Sequence, residues 1–498
     1  MRFKAKLLNI ESGGPLVAVL NPKTVKEFDL GPSDRVRVMS EQRYSVAIAD
    51  SSSTIKENEI GIFEELADVL HIEEGLPLTV IPEEKPNSIQ SIKKKLDGAA
   101  LTKDEIFELI TDIVDNRLTA SEISAFVSAV YTKGMTMEET EHLTRAIAET
   151  GELLKLGVKP VMDLHSIGGV PGNRTTMIVI PIVAAAGLYI PKTASRAITD
   201  PAGTADTMEV LAPVSLSIGE IKEIVLAHKG CIVWGGSLDM APADDIIVDV
   251  ERPLLLDPTS MLLASILAKK HAAGATDLLL EIPFGPGTKS TRQRANELEK
   301  KFILLGSKLG INIKVVKTDG SQPIGNGIGP VLECRDVLQV LENNKNAPND
   351  LKNRSLYFAG LLLEMGKKAG RGKGMSAAKT ILESGKALEK MKEIIKAQGG
   401  NPSVSSEKIE AGKYDETVYA DITGTVQKID NDIMKKAGRH LGAPHDKSAG
   451  IYLWVKVGDK VKEGDKLFTI YAESGRRLSE GLSYAESNNP YHIAPMKR

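Results

Sequence analysis

The segment DLHSIGGVPGNRTT (163–176) puts a histidine, a serine and three glycines directly ahead of a long apolar run. It reads as strand, loop and helix, an order that leaves backbone N–H groups open at a helix N-terminus, where the dipole also favours an anion. Phosphate is the obvious candidate. Two nucleotide fingerprints fail: 168–173 reads GGVPGN rather than GxGxxG, and no lysine follows a glycine at Walker A spacing. GPGTKS (285–290) imitates a P-loop, yet Thr288 stands where that motif needs glycine. An NTPase or dehydrogenase is therefore disfavoured. The alternative is that the glycines merely turn the chain between strand and helix.

TASRAITDPAGTADTME (193–209) repeats the theme with the Ser195 and Thr199 hydroxyls, the Arg196 cation and a Gly-Thr pair before the next helix. Successive loops at strand ends are where open α/β sheets bind ligands, and an arginine beside hydroxyls suits a phosphate ester. Taken alone, Arg196 is a solvated surface charge. In DPTSMLLASILAKKHAAG (257–274), Asp257 followed by Pro258 reads as N-cap and first helical position, with Gly274 as the stop. Ser265 and Lys269 lie four apart on one face of that helix. The plain alternatives are a serine bonded back to its own helix and a lysine in water.

These residues need a scaffold, and the period of the sequence supplies one. Residues 1–84 hold short alternating or β-branched runs (RFKAKLLNI, LVAVL, RVRVM, YSVAIAD, LPLTVIP), expected to form a small β-barrel. DLGPSDRVRV resembles the turn-and-strand element of double-psi barrels. Helical periodicity follows, with capping-box pairs Thr102/Glu105, Thr119/Glu122 and Thr136/Glu139 marking three short helices. From about 160 the texture is α/β, with strands at KPVMDLHS, YIPKTAS, CIVWGG, ATDLLLEIPF and INIKVVKTDG. The segment from 411 is β-rich. Its IYLWVKVGDKVKEGDKLFTIYAES resembles a lipoyl-type carrier but lacks the hairpin lysine, so a structural role is expected.

At 498 residues the chain needs several cores. A net charge of −3 without a long basic run argues against general nucleic-acid binding. Cys231 and Cys334 form no CxxC, so neither a disulfide framework nor a zinc site is expected. No signal-peptide core or membrane-length apolar window is present, and a cytoplasmic location is expected.

Together the D-x-H-S-x-G-G-V loop, the S-R segment with its downstream G-T, the D…ASIL-x-KK helix and SQPIGNGIGPVLE (321–333) resemble the thymidine and pyrimidine-nucleoside phosphorylases over residues 88–498. The extra barrel and SRAITDPAGTAD resemble most the archaeal AMP phosphorylases of that family. The resemblance implies a multidomain α/β protein. It divides into a barrel (1–84), a helical domain (85–158 and 242–275), a central mixed α/β domain (159–241 and 276–410) facing the helical one across a cleft, and a β-rich domain (411–498).

It further implies phosphorolysis of AMP, and of CMP and UMP, by inorganic phosphate, with Asp257 protonating the leaving base. Gly169, Ser195, Arg196, Ala197, Ile198, Thr199, Asp200, Thr204, Ser265 and Lys289 would bind AMP. His165, Ser166, Thr176 and Lys269 would line the phosphate site. No cofactor or metal is implied, and a homodimer or larger homo-oligomer is. Three departures set the chain apart from enzymes acting on unphosphorylated pyrimidine nucleosides. Leu164 replaces their phosphate-binding lysine, Ala194 replaces a serine, and Val250 replaces the arginine that reads the pyrimidine. The alternatives are such a nucleoside phosphorylase, or a non-catalytic scaffold around a dead core.

Overall fold

A computed structural model describes residues 1–495 other than Gln42 and Asp239. The alternating runs of the N-terminal segment become β1 (Arg2–Leu7), β2 (Val17–Leu20), β3 (Arg35–Met39), β4 (Tyr44–Ser51), β5 (Glu59–Ile62) and β6 (Pro77–Glu83). They close into a barrel in the order β1-β5-β2-β4-β3-β6. Pairs β1/β5 and β2/β4 are parallel and the others antiparallel. Every second residue points inward, so Phe3 and Ala5, Val36 and Val38, and Ala47 and Ala49 share one core.

Four helices follow: Ser88–Leu96, Lys103–Val114, Ala120–Lys133 and Met137–Glu149. The last three begin at the expected capping boxes, each with both reciprocal bonds formed. The first escaped the sequence reading because Asn87 makes no side-chain cap bond. Burial holds it instead: Lys95 is sequestered and pairs with Glu139 at 2.7 Å.

Helices Pro242–Leu254 and Thr259–Ala272 come later in the chain. The expected start of the second is displaced by one residue. The Leu262 N–H bonds to the Pro258 carbonyl, so Pro258 takes the cap position and Asp257 precedes it, exposed. Proline disfavours helical backbone in the residue before it, which keeps Asp257 outside the turn.

The central strands are β7 (Met162–Ser166), β8 (Ile190–Ala194), β9 (Gly230–Trp234), β10 (Asp277–Phe284) and β11 (Asn312–Asp319). Parallel pairing gives the orders β11-β10-β7 and β8-β9. A parallel bridge between Val161 and Tyr189, with the Met162 N–H donating to the Tyr189 carbonyl at 2.8 Å, joins the two groups. All five strands thus end at one edge. Beside them runs the helix Thr175–Ala185, nearly every residue of which is buried.

The C-terminal segment supplies most of a four-stranded and a three-stranded sheet, with helices Asn431–His440 and Gly475–Asn488. The described residues fall into two compact units: Met1–Gly151 with Met240–Ala268, and Glu152–Asp239 with Lys269–Arg498. No helix among them is long and apolar enough to cross a membrane.

Candidate anion-binding and acid-base sites

In the second unit, loops leave the C-terminal ends of parallel strands and meet one another. After β7, Gly168 and Gly169 adopt φ values of +87° and +94°, which disfavour any residue with a Cβ. Gly169 also lies against the loop after β10: a Cβ there would come within 3.0 Å of the Lys289 backbone nitrogen. The sequence-separated Gly169 and Lys289 are therefore neighbours, with the Lys289 side chain exposed. Thr176 lies in the first turn of Thr175–Ala185, a helix whose N-terminus has no side-chain cap. Ser166 accepts a long 3.4 Å bond from the Gly168 N–H.

The loop after β8 is held from within. Asp206 accepts from the Ala197 and Gly203 N–H groups at 2.7 and 2.8 Å. A Cβ at Gly203 would lie 2.5 Å from the Ser195 carbonyl oxygen, so glycine permits the loop to close on itself. The Arg196 guanidinium donates to Glu209 at 2.8 and 2.7 Å and to Asp206 at 3.1 Å, and lies 4.7 Å from the centre of the Trp234 ring. Its charge is engaged by carboxylates, and it acts as a clamp on the loop. What the loop presents outward is Ser195, Ile198 and Thr199, all at least partly exposed, with Asp200 and Thr204 partly so.

On β7 the period of two puts Asp163 and His165 on one face and Leu164 on the other, in the main apolar core. Asp163 receives Lys270 at 2.8 Å and Lys192 of β8 at 3.5 Å, and all three are almost wholly buried. Burial, reinforced by Lys270, Lys192, Lys269 and Lys289 in that order, holds the His165 imidazole well below its usual range. His165 is therefore neutral at pH 7 and sits in a positive field. Burial also lowers Lys192 to about 7, with Asp163 opposing the shift and Lys270 adding to it.

In the first unit, Asp257 stands exposed ahead of its helix, and the Ser265 hydroxyl donates to Asp244 at 2.9 Å. Glu251, on helix Pro242–Leu254, lines a small pocket with Asp244, Ile247, Met261 and Ser265. Its Oε1 is buried without a hydrogen-bond partner among the described residues. Burial raises its carboxyl to about 8, with Asp244 and then Asp257 adding to the rise.

Sequence reasoning missed Asp163, Lys192, Lys270, Asp244 and Glu251. A signal existed for the first two, since a charge inside strands as apolar as MDLHS and IPKTA demands a partner. Glu251 had no such signal, because its environment is assembled from the facing helix.

Residues 89–151 match the glycosyl transferase family helical bundle domain, 158–388 the a/b domain of that family, and 425–492 the pyrimidine nucleoside phosphorylase C-terminal domain. Among curated proteins, the chain is 48% identical to the AMP phosphorylase of Pyrococcus furiosus over 100% of its own length and 98% of that protein. It is 46% identical to the one of Methanocaldococcus jannaschii (99% and 98%). Among solved structures, anthranilate phosphoribosyltransferase from Thermus thermophilus superposes with a TM-score of 0.54 at 18% identity, covering 62% of this chain and 99% of that one. The enzyme from Saccharomyces cerevisiae gives 0.51 at 15% identity, over 63% and 98%. These two likenesses speak to the fold.

Proposed function

Because the chain belongs to the glycosyl transferase family with the pyrimidine nucleoside phosphorylase C-terminal domain, and to the branch whose full-length relatives are AMP phosphorylases, we propose that it is a pentosyltransferase cleaving AMP with inorganic phosphate. The phosphate oxygen attacks C1′ of the ribose, the bond to the base breaks, and adenine and ribose 1,5-bisphosphate result. CMP and UMP are included as further substrates. The observation that carries the reading is 48% identity over the whole chain, front barrel included.

The chemistry suits the residues. Breaking the glycosidic bond puts positive charge on the sugar and negative charge on the departing base, so an acid at the base and anion-binding groups at the phosphate lower the barrier. Asp257 is the proton donor. Gly169, Ser195 to Asp200, Thr204, Ser265 and Lys289 bind the nucleotide, Arg196 and Ala197 through the loop they hold in shape. His165, Ser166, Thr176 and Lys269 serve the inorganic phosphate. A neutral His165 can donate one N–H to an anion while its surrounding lysines supply the field. The reaction needs no cofactor. The reading includes a cytoplasmic homo-oligomer, and its two buried free thiols suit a reducing compartment.

The test is release of free base from AMP, CMP, UMP, adenosine and thymidine, each with phosphate. Release from AMP that requires phosphate is expected. Release from thymidine or adenosine but from no nucleotide would instead identify a nucleoside phosphorylase, and none at all would leave a scaffold.

A further inference from the structure

We propose that Lys192 is a positioning residue of the phosphate site: with Lys270 it forms a buried cationic base beside His165, left under-neutralised by Asp163 and completed by the bound anion. This rests on the reading that inorganic phosphate is a substrate. Two ammonium groups, on β8 and on helix Thr259–Ala272, converge on the single Asp163 carboxylate at 3.5 and 2.8 Å, each residue less than a twentieth exposed.

The groups facing Lys192 come from every side. β7 brings Asp163 and His165, and β9 brings Cys231, whose thiol burial raises to about 12 and so keeps uncharged. The helix Thr259–Ala272 brings Lys270, with Lys269 on its next position toward the N-terminus, and the loop after β10 brings Lys289; both of the latter act on His165. The helix Thr175–Ala185 has no titratable side chain.

Removing a charge from water is unfavourable unless a partner compensates it, and one carboxylate cannot fully compensate two ammonium groups. Such a cluster leaves net positive charge in the interior. Lys192 answers by giving up its proton near neutrality, at about 7. An arriving dianion attracts the charged form, so binding and protonation of Lys192 are linked: each favours the other by the same factor. No bond to the substrate is required. Lys192 acts through the field at His165, and phosphate binding draws a proton from solvent.

The measurement is calorimetric titration of the full-length protein with inorganic phosphate, and with sulfate, at pH 8 in two buffers of different ionisation enthalpy. Sulfate does not titrate in this range, so protons counted with it come from the protein. Wild type is expected to take up a substantial fraction of a proton per anion. Lys192→Met should lose that uptake and bind either anion about tenfold or more weakly, the equivalent of one unit of pKa coupling. Lys192→Arg, whose charge is permanent, should bind without proton uptake. Thermal melting reports whether each variant folds. If Lys192→Met does not, the proton counts of wild type and Lys192→Arg decide.

Absence of anion binding or of proton uptake in wild type, or an unchanged proton count in Lys192→Arg, overturns the proposal. Proton-linked anion binding without AMP cleavage would leave it standing and sink the substrate reading. AMP cleavage with wild-type phosphate KM and proton count in both variants would sink this inference alone.

Discussion

Gly169 satisfies two constraints at once. Its φ of +94° lies in the region where a side chain strains the backbone, and a methyl group there would press on the Lys289 backbone at 3.0 Å, so that the neighbouring loop would have to give by a few tenths of an ångström. Gly169→Ala should therefore destabilise the protein by about 1–3 kcal/mol and push the β7 and β10 loops apart. A raised KM for phosphate or AMP at unchanged oligomeric state is the expected kinetic result; wild-type KM values would show that the contact does not shape the site. Asp257 is different in kind. It is exposed, stands ahead of its helix and is not part of a core, so Asp257→Asn should leave the melting temperature within a degree or so while lowering kcat by about 10²–10⁴, the range of a lost general acid. Full turnover in that variant would remove the acid from the mechanism. Arg196 marks a limit of reading residue types. Its setting among hydroxyls suits a phosphate ester, and it is also held by Glu209, thirteen positions away, and Asp206, ten, because a carboxylate attracts a guanidinium as readily as a phosphate does.

At the scale of elements, legibility followed locality. Capping boxes are signals four residues long, and all three marked real helix starts. The five central strands announced themselves as short apolar runs. Helix Ser88–Leu96 did not, since it is kept in place by the Lys95–Glu139 pair across 44 positions rather than by a cap. The same holds for Glu251, whose helix looks ordinary until the Thr259–Ala272 helix supplies Met261 and Ser265 opposite. Its carboxyl, held up to about 8, binds a proton in the folded state that the unfolded chain releases near 4.5. Protonated Glu251 therefore stabilises the fold fully below pH 4.5, and that stability is lost as pH rises towards 8. Glu251→Gln keeps the shape without the titration. Relative to wild type, the variant should gain stability steadily from pH 4.5 to 8 and no further above it, by an amount on the order of 1 kcal/mol because solvent reaches part of the group. Chemical denaturation at several pH values checks this; a constant difference between the two proteins would show that Glu251 titrates normally.

At the scale of the whole molecule, each β domain braces the unit to which it belongs. In the second unit, Asn431 of the C-terminal segment donates to the Gly320 carbonyl at 2.8 Å, Lys435 reaches the Gly287 carbonyl at 3.3 Å, and Lys447 pairs with Glu209 at 2.7 Å. All three hold loops or residues around the candidate anion site, contacts that the sequence of the segment does not specify. In the first unit, the barrel is tied to the helices by ions. Arg37 and Arg117 share Glu83 at 2.8 and 3.3 Å, and Arg117 continues to Asp112 at 2.9 Å. A further tie is Arg35 of β3 on Glu122, the same glutamate that closes the capping box of helix Ala120–Lys133. Arg35 is 2% exposed and Glu122 25%. Breaking a fully buried pair costs about 3–5 kcal/mol, and the partial exposure of Glu122 with its retained bond to the Thr119 N–H brings the expected loss for Arg35→Ala to about 2–3 kcal/mol. Both tryptophans, Trp234 and Trp454, belong to the second unit, so indole fluorescence would not report the change directly. Amide hydrogen exchange would. Faster exchange in β3 and in the first turn of the Ala120–Lys133 helix, with the central strands unchanged, is the expected pattern, because a docking contact protects the elements it joins. Uniform protection in Arg35→Ala would mean that apolar contacts alone seat the barrel.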